Sequence, residues 1–182
     1  MKSIHLIILF CICTLSAFCQ TMPIDATTGL ITYTGIVNCD SSNQKDIYYA
    51  AQLWALNAFG SGKPVAQFNN TEKSTVVFKP GIPVHTEGGV LAGNVFYTFT
   101  IECKDGKYRY TLTDFKHQMI PETNNCDGGN LENETYTCPQ LIMNKKSFWA
   151  GIKIQTNDNV AALIANMKAG IANTLHGKKS DW

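Results

Sequence analysis

Asp114 and His117 stand three residues apart at the end of the stretch "GNVFYTFTIECKDGKYRYTLTDFKH", Gly93 to His117. A carboxylate that close to an imidazole can orient it as a general base. Hydrolysis would also need a nucleophile. No serine or cysteine lies in a Gly-x-Ser-x-Gly elbow, and H-E-x-x-H, P-loop and dinucleotide signatures are missing. A hydrolase built on Asp114 and His117 is therefore the second reading, and no catalytic residue is assigned. Arg109 is the chain's single arginine, and Glu102 is its candidate partner across the same stretch. Such a pair is either a cross-strand ion bridge or an anchor for a ligand's carboxylate or backbone. Pairing consumes both charges, which favours the bridge.

The cysteines carry a different chemistry. Cys126 and Cys138 enclose the polar segment "CDGGNLENETYTC", and a disulfide between them would pin a segment poor in apolar side chains. Cys39 and Cys103 belong to apolar strand faces and read as two buried thiols. There is no CxxC and no Cys/His cluster, so neither a metal site nor a cofactor is expected.

These residues must be positioned by a hairpin. Asp105-Gly106 is a type I′ turn signal, and it sets the register. Cys103 then faces Tyr108, Glu102 faces Arg109, Thr100 faces Thr111, Thr98 faces Thr113 and Phe96 faces Phe115. Side chains alternate along a strand, so Phe99, Ile101, Cys103, Tyr108, Tyr110 and Leu112 share a buried face. Phe96, Thr98, Thr100, Glu102, Arg109, Thr111, Thr113 and Phe115 share the other. A flat threonine surface with two aromatic anchors at one end suits recognition, because hydroxyls bond a ligand without stripping water from a charge. Two plainer readings compete: a soluble sheet surface rich in a strand-favouring residue, or a face covered by the Cys126–Cys138 loop.

The rest of the chain supplies the support. "LITYTGIVNC" alternates as a strand, with Ile31, Tyr33, Val37 and Cys39 on one face. Ser41 and Gln44 are spaced as a capping box before a helix striped by Ile47, Ala50, Ala51, Trp54 and Ala58. "PVAQFNN" and "STVVFK" pair as a short hairpin, and "PGIPVHTEGG" reads as a loop. Residues 118–156 read as an irregular insertion. The last helix begins at Asn157 or Asp158, with Val160, Leu163, Ile164, Met167, Ile171 and Leu175 as its stripe. Each helix has one apolar face. The expected fold is α+β, ordered β-α-β-β-β-β-α, a five-stranded antiparallel sheet with two helices on one side.

Residues 1–19, "MKSIHLIILFCICTLSAFC", have the early lysine, apolar run and small-residue exit of a secretory leader. Phe18 before Cys19 disfavours a lipid anchor, so the expected location is the periplasm or the outside of the cell. Beyond the leader the chain holds 14 basic and 14 acidic residues. Zero net charge with one arginine disfavours nucleic acid as a partner. Residues 20–177 form one domain, and 178–182 a tail.

"MPIDATTGLITYTGIV", "DIYYAAQLWALNAF" and "FYTFTIECKDGKYRYTLTDFKH" together resemble domain-of-unknown-function family 4468, exported proteins seen mainly in Bacteroidota. The resemblance spans about Pro23 to His117. It implies a fold like that of the TATA-binding protein and no catalytic residues. It does not imply DNA binding, because fold does not carry function. The function expected is that of a non-enzymatic envelope protein, binding a protein, peptide or glycan on its open sheet face.

Overall fold

The computed structural model describes residues 22–60, 68–70, 74–119, 126–138 and 145–177. The 1–19 leader and the 178–182 tail lie outside these. The elements run β1 (Tyr33–Asn38), α1 (Gln44–Phe59), β2 (Phe68–Asn70), β3 (Thr75–Phe78), β4 (Gly81–His85), β5 (Leu91–Lys104), β6 (Lys107–Gln118), β7 (Gly129–Asn130) and α2 (Lys145–Gly177). They form one antiparallel sheet beneath two helices, an α+β fold of the expected class.

The β5–β6 hairpin is the spine of the sheet. Its register from Lys104↔Lys107 to Thr98↔Thr113 follows the Asp105-Gly106 turn, with Gly106 at φ 72° as a type I′ turn requires. Both strands are long enough to hold two neighbours in tandem on their outer edges. β3 and then β4 pair with β5, β1 and then β7 pair with β6, and β2 lies outside β3. Among the described residues the sheet thus has seven strands rather than five.

Three local expectations change. The segment expected as a Pro-Gly loop holds strand β4, in which Ile82 and Val84 are buried. Pro83 is tolerated there because β4 is an edge strand. α1 is capped by Asn43, not by the Ser41/Gln44 box: Asn43 Oδ1 accepts the Asp46 N–H at 2.9 Å and Asn43 Nδ2 donates to Asp46 Oδ2. α2 begins at Lys145, one helix of 33 residues, so the irregular insertion is shorter than expected. Asn157, read as its cap, lies inside the helix and accepts the Tyr33 hydroxyl at 2.7 Å. Trp149 and Ile152 extend the buried stripe of Val160, Met167 and Ile171 toward the N-terminus.

Helices and sheet meet around Trp54. Its ring lies 5.7 Å from Phe59, 6.1 Å from Phe78 and 5.6 Å from Phe99, and its Nε1 donates to Asn166 Oδ1. α2 comes close because position 170 is glycine, where a Cβ would stand 2.6 Å from Trp54 Cδ1. No helix among the described residues is long and apolar enough to cross a membrane.

Candidate functional site: the open sheet face

Both helices pack on the face of Val76, Phe99, Ile101 and Leu112, so the opposite face carries the candidate residues. Cross-strand pairing sets them in rows. Thr34, Thr111, Thr100 and Val77 form one row across β1, β6, β5 and β3. Thr113 and Thr98 form the next, with Thr32 beside Thr113 at 3.2 Å between hydroxyls. Thr34 and Thr111 hydroxyls lie 3.4 Å apart, and Thr34 Oγ1 also donates to the Tyr110 carbonyl at 3.0 Å. These contacts use only part of the hydroxyls' hydrogen-bonding capacity. The array extends beyond the hairpin: Thr34 on β1 and Thr32 just before it continue it.

Below the threonines, Ile36, Arg109, Glu102 and Thr75 make a third row. Arg109 donates from Nε and Nη2 to Glu102 Oε2 at 2.8 and 2.6 Å. The two side chains are 56% and 39% exposed. An ion pair that open contributes under about 1 kcal/mol. Pairing satisfies the two charges of this row.

Phe115 does not belong to this face. Thr98 pairs with Thr113, but Phe96 pairs with Lys116, so Asp114 and Phe115 together oppose Tyr97 in a β-bulge. Asp114 takes φ 59°, a region where Asp is enriched among side-chain-bearing residues. The extra residue reverses the alternation. Phe115 turns into the core, 5.2 Å from Tyr97 and stacked on it, and His117 follows it inward. Phe96 remains on the open face over Gly81, where a Cβ would lie 2.9 Å from its ring, and it is 39% exposed. Of the two aromatics expected on this face, Phe96 is there and Phe115 is not.

The bulge also separates Asp114 from His117. Asp114 is exposed, whereas His117 is fully buried. His117 Nδ1 accepts the Gly128 N–H at 3.1 Å, so Nε2 carries the proton and donates to the Ala92 carbonyl at 2.9 Å. Burial pushes its pKa below the ordinary histidine value, against the Ala92 carbonyl and the charge of Asp127. Neither nitrogen is left for a substrate. Cys103 is equally unsuited to attack: burial, with the neighbouring Cys39 and Glu102, pushes its thiol up to about 12. Cys39 and Cys103 are both unbridged.

The loop expected as a possible cover lies elsewhere. Cys126 and Cys138 are disulfide-bonded, with Cα atoms 5.1 Å apart, inside the range such a bond spans. Leu131, Tyr136 and both cysteines are buried. Tyr136 meets the rings of His117 and Trp149 at 5.5 and 5.3 Å, and Trp149 Nε1 donates to the Asn133 carbonyl. The loop closes the helix side of the sheet beyond the bulge. Among the described residues, no cluster of His, Cys, Asp and Glu is arranged to hold a metal.

Residues 33–118 match the family described as "Domain of unknown function (DUF4468) with TBP-like fold". Two crystal structures are similar over 81% of the chain, each at 16% identity. One is a TBP-like protein from Parabacteroides distasonis ATCC 8503, with TM-score 0.59 and 97% of that chain covered. The other is a DUF4468 family protein from Bacteroides ovatus ATCC 8483, with TM-score 0.60 and 90% of that chain covered. At that identity they establish fold alone. No protein with a curated description matches the chain. The β1–β6 body of this chain, with α1 packed on it, is a DUF4468 domain with a TBP-like fold.

Proposed function

We propose that this is an exported cell-envelope protein that works by binding a protein, peptide or glycan on its open sheet face, and not by catalysis. The leader-like residues 1–19 support the location. One observation carries the binding reading: the threonine rows continue over three strands, from β1 through β6 to β5, on a face that the helices and the bridged loop leave uncovered. Threonine hydroxyls beside an ion pair already satisfied offer hydrogen bonds at low desolvation cost. Phe96 at the rim supplies an apolar contact. The hydrolase reading built on Asp114 and His117 has no geometric support, since His117 is buried with both nitrogens engaged.

The test is affinity capture from an envelope extract of the native organism. The wild-type protein is compared with Thr100→Lys/Thr111→Lys, which sets two charges side by side mid-face without touching the core. The partner retained by the wild type is expected to be lost at least tenfold by the variant. Equal retention, with the variant shown to be folded by its unfolding transition, would refute the face as the binding surface.

A further inference from the structure

The free edges of the sheet differ in a way that points to a second copy of the chain. Every antiparallel strand turns alternate residues' N–H and C=O groups to opposite sides. Cys39 N–H donates to the Gly106 carbonyl on the β6 side, which places Tyr33, Gly35 and Val37 in hydrogen-bonded pairs with β6. Thr34, Ile36 and Asn38 therefore direct their backbone groups outward. The Thr32 N–H, next in that outward series, is already taken by the Pro23 carbonyl. None of the backbone N–H groups of Thr34, Ile36 and Asn38 has a partner among the described residues.

Among the described residues the other edges are short or partly closed. On β4 the Tyr97 N–H donates to the Pro80 carbonyl, so Gly81, Pro83 and His85 face outward. Pro83 has no N–H to offer, and the N–H and C=O of His85 are both bonded by the Gln155 side chain, at 2.9 and 2.7 Å. β2 and β7 are three and two residues long. Short strands, proline and a covering side chain are the usual protections of an edge. β1 has six residues, "YTGIVN", with no charge and no proline. At its centre Ile36 is 67% exposed.

We infer that β1 pairs antiparallel with β1 of a second copy about a twofold axis through Ile36. That register is self-complementary, as an isologous interface requires. Ile36 opposes the partner's Ile36, and Thr34 opposes the partner's Asn38. Each outward residue donates one N–H and accepts one, and two exposed isoleucines cover each other. No like charges meet between the two strands, since β1 carries none, and Arg109 behind Ile36 is paired with Glu102. Above β1, α2 is marked by Asn157 on Tyr33 and Lys168 over the Tyr110 ring. At helical spacing on that flank stand Ala161 and Ala172, small enough to admit a neighbour. Pairing would join two threonine faces into one sheet.

The test measures mass by sedimentation equilibrium and amide exchange on the purified protein across a concentration series. A dimer is expected at micromolar concentration, with Thr34, Ile36 and Asn38 amides protected only in the dimer and Gly35 and Val37 protected throughout. Ile36→Lys puts like charges on the twofold at an exposed position and is expected to weaken association at least tenfold without changing the melting transition. A monomer at every concentration would overturn the inference. So would a dimer in which those three amides stay open, or one that Ile36→Lys leaves intact.

Discussion

Removing the Cys126–Cys138 bridge, by reduction or as Cys126→Ser/Cys138→Ser, is expected to destabilise the fold by about 3 kcal/mol, the loop-entropy value for a closure of this size. The sequence separation is 12. The polar loop holds few apolar anchors of its own. Leu131 and Tyr136 are buried, but Tyr136 keeps its place through its hydroxyl bond to the Cys126 carbonyl at 2.6 Å. Gly128 lies where a Cβ would come within 2.6 Å of both Trp149 and Tyr136. The loop thus fits a narrow slot that an unbridged chain has little apolar surface to hold. Denaturant unfolding with and without reductant reads the difference. A change under 1 kcal/mol would mean that packing on Trp149 alone holds the loop.

Acid is expected to remove a second, separable part of the stability through His117. In the folded protein burial holds its pKa below the ordinary value, while in the unfolded chain it titrates near 6.5. As pH falls, the unfolded state therefore takes up the proton first. The contribution is fully present above about pH 6.5 and is lost as pH drops through that value toward the folded pKa, with a limiting slope of about 1.4 kcal/mol per pH unit. Carboxylates add their own slope at lower pH, so the measurement is the difference between wild type and His117→Gln. That variant can still donate to the Ala92 carbonyl but cannot titrate. It is expected to unfold more easily at pH 8 and to lose the slope between pH 6.5 and 5. Parallel curves for the two proteins would show that His117 keeps a near-normal pKa. The two effects are coupled, because Gly128, inside the bridged loop, donates to His117 Nδ1. The reduced protein should show a weaker His117 slope.

The sequence makes the sheet legible wherever one residue type dictates geometry. Asp105-Gly106 imposes the hairpin register, and the pairs from Lys104↔Lys107 to Thr98↔Thr113 follow from it. The reading fails at one residue beyond. Asp114 shows no anomaly in the hydrophobic pattern, yet its positive φ inserts a bulge and carries Phe115 and His117 to the opposite face. The signal available was the cluster Val95, Tyr97, Phe115 and His117, four residues suited to one buried face that strict alternation splits. β4 escapes notice because prolines conceal an edge strand whose apolar alternation is only Ile82 and Val84. The start of α2 escapes because Asn157 and Asp158 look like a cap. Inside the helix, Thr156 Oγ1 bonds the Ile152 carbonyl and Asn157 bonds Tyr33, so tertiary partners override the local preference.

If the threonine face is the surface this protein presents to its partner, it is shielded in the native envelope. Single cysteines at Thr100 and Thr111 on that face, and at Leu56, exposed on α1, can be labelled with a maleimide against the wild-type background of Cys39. Rates are compared between the purified protein and the protein in its native envelope. Labelling is expected to slow at Thr100→Cys and Thr111→Cys in the envelope, with Leu56→Cys unchanged. Unchanged rates on the face, or protection at Leu56→Cys alone, would contradict it.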